Sequence, residues 1–380
     1  MKNYKRASFK QCLTISILAL GLAGCGGSGS STTTTTGAVG VDGVEGLEGS
    51  QGISTLVEKL APGTGKLIID VRSTGYSERY ETDAAYKGMV DVVISAASET
   101  LGEVGGQIKW PKDIPSIFSG CGTVNAFFVA LTPDLVNAME TQTDASNVAT
   151  KFGETIKDSS ALVVCHEYSE KIVSTLMDPG SKATIQTAFN IESDDDINDA
   201  IGITSFFLVM QGALHEVGHA LDGLLLKDPD NTVKSQFQIP VANVCGTAPC
   251  SSIKEDFGDW IQSAILIEAI KDEIEEDPES TERYLNVFKL SVTAWQSLFP
   301  DNVNSPGDGK HSTTEARQYN MLCWAYGAIP EFRTADLDSG GKIGTLLATK
   351  LGDIATCEQS YAANEILTET LLGEYVNNED

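Results

Sequence analysis

The chain has 380 residues, with 26 Lys and Arg against 53 Asp and Glu, which gives a formal net charge of −27. So acidic a surface repels nucleic acid and anionic lipid headgroups, and we exclude both as binding partners. The length allows two or three domains, but no composition break interrupts residues 53–380. That region is therefore predicted to be one folded domain with insertions.

The first 24 residues predict a bacterial lipoprotein signal peptide. Four basic residues precede a short apolar run, residues 12–22, which is too short for a typical membrane-spanning helix. The run ends in Leu22-Ala23-Gly24-Cys25, which resembles a lipoprotein cleavage box. The resemblance implies cleavage before Cys25 and lipid on that residue, and several acyl chains anchor a protein stably. An ordinary secretory signal is the alternative.

The expected location is the bacterial cell envelope, and the lipid on Cys25 is the only expected membrane contact. Gly26 follows the lipidated Cys in place of Asp, which favours the outer membrane. Removing the leader takes away four positive charges, so the mature chain carries 22 Lys and Arg against 53 Asp and Glu. Residues 25–52 are rich in Gly, Ser and Thr, and predict a flexible tether between the lipid and the folded region.

The folded region is predicted to be mainly α-helical with a small β component. Strands are predicted at residues 66–72 and 125–130, while residues 161–165 are either a strand or the start of a helix that ends at 176. Residues 178–199 are predicted to form a polar loop. The predicted helices cover residues 84–101, 206–226, 252–274, 282–298, 313–326 and 361–375.

The strongest motif is His215-Glu216-Val217-Gly218-His219, an H-E-x-x-H pattern in an apolar run that is compatible with a helix. Residues i and i+4 share one helix face, so His215 and His219 can present two imidazole nitrogens to one Zn²⁺. Glu216 is then placed to take a proton from the attacking water. The alternative is a helix whose two histidines bond other groups.

A catalytic zinc needs a third protein ligand and an open position for water. Glu255, at the start of the next helix, is the best candidate, and Asp259 one turn later is expected to accept the N–H of a liganding histidine. Asp256 and Asp259 are the alternative ligands, and a capping box of Ser252 with Glu255 would need no metal. The arrangement is similar to that of the thermolysin-like zinc peptidases, which implies a zincin-like helical domain with a His-His-Glu site.

Five blocks together resemble an uncharacterised bacterial family of metallopeptidase-like proteins, a domain of unknown function. They are Cys121-Gly-x-x-Asn125-Ala-Phe, Val164-Cys165-His166-Glu167, His215-Glu-Val-Gly-His-Ala-Leu, Glu255-Asp-x-x-Asp259, and His311-Ser with Arg317-x-Tyr319-Asn320-x-Leu-Cys323-Trp-x-Tyr-Gly327. The sequence departs from the family pattern at His166, where an aromatic residue is usual, and in a longer loop over 227–252. The resemblance implies peptidase activity.

Three further polar residues are candidates for stabilising the oxyanion of a transition state, which needs a donor beyond the metal. They are His311, Arg317 and Tyr319. The alternatives are a surface or capping role for His311, a salt bridge for Arg317 and core packing for Tyr319. His166, which lies in an apolar run, is predicted to be structural.

Six cysteines remain after the leader and the lipid site are set aside, and an even number in an exported chain predicts disulfides. Their order along the chain suggests the pairs Cys121–Cys165, Cys245–Cys250 and Cys323–Cys357. Zinc–thiolate sites are the alternative, although the chain has no C-x-x-C pair.

These features predict an exported, lipid-anchored zinc metallopeptidase that acts on a peptide or protein substrate, with Glu216 as general base. Two other functions fit the same residues. One is a non-catalytic zinc-binding lipoprotein with a binding or assembly role in the envelope, and the other is an amidase acting on cell-wall peptide.

Overall fold

A computed structural model describes residues 68–70, 76–108, 116–130, 137, 139, 141, 160–222, 228, 230–241, 253–298 and 312–376. These residues are mostly helical and include one small sheet, so the predicted mainly α class with a small β component is confirmed. Several predictions fall outside the described residues, namely the signal peptide, Cys25, the tether, Ser252, His311 and the pair Cys245–Cys250.

The chain forms two compact units. The first contains the described residues up to 182 together with 191–213, and the second contains 183–190 together with 214 onwards. The prediction of one folded domain over 53–380 stays a prediction.

The sheet of the first unit consists of β1 (Ile68–Asp70), β2 (Ser116–Ser119), β3 (Ala126–Ala130) and β4 (Ser160–Cys165) in the order β1-β2-β4-β3. β1, β2 and β4 are parallel, and β3 is an antiparallel edge strand. β2 and β4 lie in the middle of the sheet and are buried, which explains the continuous apolar run of β4 and the buried Ile117 and Phe118 of β2. The predicted strands are confirmed, and residues 161–165 are a strand rather than a helix start.

The helices of this unit include α1 (Glu78–Thr82), α2 (Ala84–Ile108) and α3 (His166–Leu176). The predicted end of this helix at residue 101 is wrong, because α2 continues through Gly105 and Gly106 to Ile108. A glycine inside a helix costs about 1 kcal/mol relative to alanine but does not block the backbone. His166 is buried at the start of α3, and its ring stacks on Tyr76 with centroids 4.2 Å apart. That packing agrees with the structural role predicted for His166.

The polar loop predicted over 178–199 is wrong, because this region contains α4 (Pro179–Phe189) and the start of α5 (Asp194–Ala220). Ser193 precedes α5, and its hydroxyl accepts the backbone N–H of Asp196. Three aspartates occupy the first turn, where negative charge is favoured by the helix dipole. In the sequence, the acidic first turn of a helix has the composition of a polar loop, which is why this prediction is wrong.

Helix α5 is long and apolar enough to cross a membrane, and it is the one such helix in the part of the chain that the structure describes. Most of its apolar stretch is buried within the protein, including Leu208, Val209 and Met210. A buried core helix passes the same length and composition test as a membrane span. The predicted helix over 206–226 is therefore confirmed as far as Ala220, with its apolar side chains largely buried.

The second unit is helical, and its described residues include the end of α5 and six helices that follow it. They are α6 (Ile253–Glu276), α7 (Thr281–Leu298), α8 (Thr314–Ala328), α9 (Pro330–Asp338), α10 (Lys342–Leu351) and α11 (Ala355–Val376). The predicted helices over 252–274, 282–298, 313–326 and 361–375 are confirmed within a few residues. Trp260 of α6 and Trp324 of α8 meet edge to face in the core, with ring centroids 5.2 Å apart. Gly340 and Gly341 both have positive φ and connect α9 to α10.

Two buried asparagines hold the extended segment that follows α5 against this helical core. The Asn364 side chain accepts the N–H of Gln238 and donates to its carbonyl, so it pairs with the backbone as a neighbouring strand would. Asn320 makes the same two-point contact with Val241. The segment is therefore fixed to α8 and α11 before the chain continues toward α6.

Two of the predicted cysteine pairs are confirmed, with sulfur atoms at bonding distance in Cys121–Cys165 and Cys323–Cys357. The second pair joins α8 to α11 across a sequence separation of 34 residues. Cross-linking a loop of that length restricts the unfolded chain and stabilises the folded one by about 3–4 kcal/mol.

Replacing both Cys323 and Cys357 with serine is therefore expected to lower the free energy of unfolding by about 3–4 kcal/mol. Urea denaturation of the variant and the wild type measures the difference. Free thiols are counted in the denatured, unreduced wild type and in the variant. If the wild type has two more free thiols than the variant, the bond does not form.

Candidate metal centre

The two histidines of the H-E-x-x-H motif lie in the last two turns of α5. Their spacing of four residues puts both side chains on one face of the helix, as predicted. The rings meet edge to face, with centroids 4.6 Å apart. His215 is 4% exposed and His219 is half-buried, so the pair lies at the edge of the core with one ring open to solvent.

Helix α6 approaches α5 closely because a glycine occupies the contact point on each helix. A Cβ atom on Gly218 would lie 2.6 Å from the Cα of Gly258, and one on Gly258 would lie 2.8 Å from Cε1 of His215. Neither distance is possible for real atoms, so both positions require glycine for this packing. The glycine of the motif thus has a physical reason, namely to let α6 reach the two imidazoles.

Replacing Gly258 with alanine is expected to displace the His215 ring and to weaken metal binding by about 10–100-fold, the size of effect typical for residues that orient a ligand. Zinc affinity measured by competition with a chromophoric chelator tests this. Gly88→Ala is a matched control, because a Cβ at that helical position meets nothing within 4 Å. Unchanged affinity in the Gly258 variant would contradict the role given to the glycine contact.

The close approach brings Glu255 between the histidines. Its Oε2 lies 3.1 Å from Nε2 of His215 and 3.2 Å from Nε2 of His219. A tetrahedral zinc site with ligand atoms about 2.0–2.1 Å from the ion separates those atoms by about 3.3 Å. The three groups therefore have the identity that such an ion needs, and the Glu255 oxygen lies at nearly the required distance from each histidine nitrogen.

Glu216 belongs to the same group, because ligand atoms of His215, Glu216 and His219 all lie within 4.8 Å of one another. This His-Glu-His group could hold a metal ion. Glu216 follows His215 directly in sequence and is half-buried, so its carboxylate lies beside the two histidines and is partly open to solvent. The negative charge around the histidines favours binding of a cation.

The protonation of His219 reflects that charge. Burial by itself lowers the pKa of His219, but the hydrogen bond to Glu255 and the charges of Glu216, Glu255 and Asp222 outweigh it and raise the pKa to about 9. Without a metal, the imidazole is therefore protonated at neutral pH and pairs with Glu255. A metal ion would take the place of that proton.

Asp259 lies one turn after Glu255 and contacts the other ring nitrogen of His215, with Oδ1 2.9 Å from Nδ1. Burial alone raises the pKa of Asp259, but the charge of Arg317 and the hydrogen bond with His215 hold it well below its usual range. The carboxylate is thus ionised and accepts from the ring. Asp259 therefore makes the predicted contact with a histidine ring, while the prediction that this histidine binds a metal stays a prediction.

Of the residues predicted to stabilise an oxyanion, the structure describes Arg317 and Tyr319, and each of them contacts a charged side chain. Arg317 forms an ion pair with Asp259, which was one of the alternatives for this residue. Tyr319 is buried on α8 with the Lys350 ammonium over its ring at 4.9 Å. Tyr319 follows Arg317 by two residues, which corresponds to a rotation of about 200° around the helix axis. The two side chains therefore point to different sides of α8. The oxyanion roles of Arg317 and Tyr319 stay predictions.

Sequence reasoning missed the contribution of the buried ion pair between Asp222 and Lys234. Asp222 lies two residues after the end of α5, and its charge acts on the His219 imidazole. Lys234 is held in turn by Asp228, whose carboxylate accepts its backbone N–H. The spacing of Asp222 three residues after His219 was the available signal.

Comparison with protein-family models, with curated proteins and with solved structures finds no match to this chain.

Proposed function

We propose that this chain is a zinc-dependent metallopeptidase whose zinc ligands are His215, His219 and Glu255. The observation that carries the proposal is the position of the Glu255 oxygen, which lies within 3.2 Å of the Nε2 atoms of both histidines. Two imidazoles and one carboxylate are the ligand set of the thermolysin type of catalytic zinc site, which leaves a fourth position open. Imidazole ligands also suit copper, iron and nickel, so the choice of zinc rests on the whole set.

The bound zinc would polarise the scissile carbonyl and lower the pKa of the attacking water toward about 7. Glu216 would serve as general base, taking a proton from that water and passing it to the leaving amine. Its half-buried carboxylate next to His215 supports this role, because a base must reach both the site and the solvent. Asp259 would hold His215 in the tautomer that turns Nε2 toward the metal.

The finer assignments of family, fold and location belong to the same proposal. A mainly helical chain with a small mixed sheet is compatible with a zincin-like domain and with the family resemblance of the five sequence blocks. The leader and Cys25 support export and lipid anchoring in the bacterial envelope, most simply in the outer membrane. The substrate would be a peptide or protein, and the acidic surface supports the exclusion of nucleic acid.

The test is cleavage of a denatured protein mixture by the purified chain, with new peptide termini identified by mass spectrometry. Cleavage is expected with zinc present, to stop after treatment with a chelator and to return when zinc is restored. A chain that holds one zinc but yields no new termini would contradict the peptidase proposal and favour a non-catalytic zinc-binding role.

A further inference from the structure

A continuous line of polar contacts runs from α8 through α6 to α5 and ends at His215. Arg317 contacts both carboxylate oxygens of Asp259, with Nε 2.8 Å from Oδ2 and Nη2 2.6 Å from Oδ1. The same Oδ1 lies 2.9 Å from Nδ1 of His215. The residues are 58 and 44 positions apart in sequence, so the tertiary fold brings them together.

The guanidinium fixes the plane of the Asp259 carboxylate. Two parallel contacts between a planar fork and a carboxylate allow one orientation, which a single hydrogen bond would not. The side chains are 15% exposed for Arg317 and 10% for Asp259, so water has little access to either group. An ionised carboxylate in such a place needs a fixed countercharge, and Arg317 supplies it.

The orientation of Asp259 determines which nitrogen of His215 faces the proposed metal. When Nδ1 donates its hydrogen to Asp259, the free lone pair is on Nε2, the atom that lies 3.1 Å from Glu255. A carboxylate free to rotate would no longer hold the ring in that plane. The shortest contacts therefore run from the guanidinium to the carboxylate to the imidazole, and Nη2 of Arg317 also lies 3.4 Å from Nδ1 of His215.

We propose that Arg317 is a positioning residue of the metal centre, which acts on zinc affinity and ligand geometry through Asp259 and His215. The inference rests on the proposed zinc site, and it gives Arg317 a role that does not require contact with substrate.

A double-mutant cycle separates this role from a general effect on folding. Zinc affinity is measured by chelator competition for the full chain, Arg317→Met, Asp259→Asn and the double variant, and circular dichroism verifies that each is folded. We expect affinity to fall about 10-fold for Arg317→Met and about 10–100-fold for Asp259→Asn. In the double variant, loss of Arg317 should reduce affinity by less than it does in the wild type, because the route through Asp259 is already broken and only the longer contact with Nδ1 of His215, at 3.4 Å, remains.

Two further variants complete the design. Arg333→Met is the matched control, because Arg333 forms an ion pair with Glu358 on the surface of the same unit. The zinc affinity of this variant should equal that of the wild type. Arg317→Lys keeps the charge but loses the planar fork, so its affinity should fall between those of Arg317→Met and the wild type. If Arg317→Met does not fold, the same cycle is run with Arg317→Lys.

Cobalt substitution gives a readout that a purely structural role would not change. The visible absorption bands of bound Co²⁺ depend on ligand geometry, so they should shift in Arg317→Met and stay unchanged in Arg333→Met. Equal affinity and equal Co²⁺ spectra for Arg317→Met and the wild type would overturn the positioning role. An equal loss from Arg317→Met in the wild-type and Asp259→Asn backgrounds would also overturn it. A wild-type chain that binds no zinc would instead overturn the proposed function.

Discussion

Replacing Glu216 with glutamine is expected to leave zinc bound and to lower the rate of peptide cleavage by about 10²–10⁴-fold, the usual contribution of a general base. Glutamine has nearly the shape of glutamate but cannot accept the proton of the attacking water at neutral pH. The three proposed ligands are unchanged in this variant, so the metal content should stay at one zinc per chain. Initial cleavage rates and zinc analysis of the same preparation measure both quantities.

Glu275→Gln is the matched control for this experiment, because Glu275 is exposed on α6 and carries the same charge. Its cleavage rate should equal that of the wild type. If Glu216→Gln cleaves as fast as Glu275→Gln, Glu216 is not the base. If it loses its zinc as well as its activity, the carboxylate holds the metal rather than the proton.

Replacing His219 with alanine is expected to weaken zinc binding by about 10²–10³-fold. Structural zinc sites with four ligands bind with about 10–16 kcal/mol, so one ligand accounts for about 3–4 kcal/mol. The loss exceeds that expected for Gly258→Ala or Arg317→Met, because the variant removes an atom bound to the ion. Glu255→Ala should weaken zinc binding by a similar factor, because the Oε2 atom of Glu255 lies within 3.2 Å of the Nε2 atoms of both histidines.

His166→Phe is the control for the histidine variant. The phenylalanine ring can keep the stacking on Tyr76, and His166 belongs to the other compact unit. Zinc affinity should therefore equal that of the wild type. Zinc content that is lost in His166→Phe but kept in His219→Ala would place the metal elsewhere in the chain.

Local patterns allowed much of the site to be predicted. Helical spacing sets the relation of His215 to His219 and of Glu255 to Asp259, because residues four apart on a helix share a face. The contact of Glu255 with both histidines depends on how α5 and α6 pack, and the reason for their close approach, the pair Gly218 and Gly258, emerged only from the structure. Two glycines in helices have no local signature of their own.

Long-range and exceptional features were the ones that sequence reasoning missed. Arg317 reaches Asp259 across 58 residues, and no local pattern encodes the partner of a long, flexible side chain. The start of α5 was mistaken for a loop because its first turn is acidic, although Ser193 is a good cap. Helix α2 continues through Gly105 and Gly106 because the cost of each glycine is small relative to the stability of a long helix.

The most direct test of the proposed centre is X-ray absorption at the zinc edge, measured on the purified chain. We expect one zinc per chain, with nitrogen and oxygen neighbours at about 2.0–2.2 Å and no sulfur neighbour. A chain without stoichiometric zinc, or a zinc ion with sulfur neighbours at about 2.3 Å, would contradict the His215, His219 and Glu255 site.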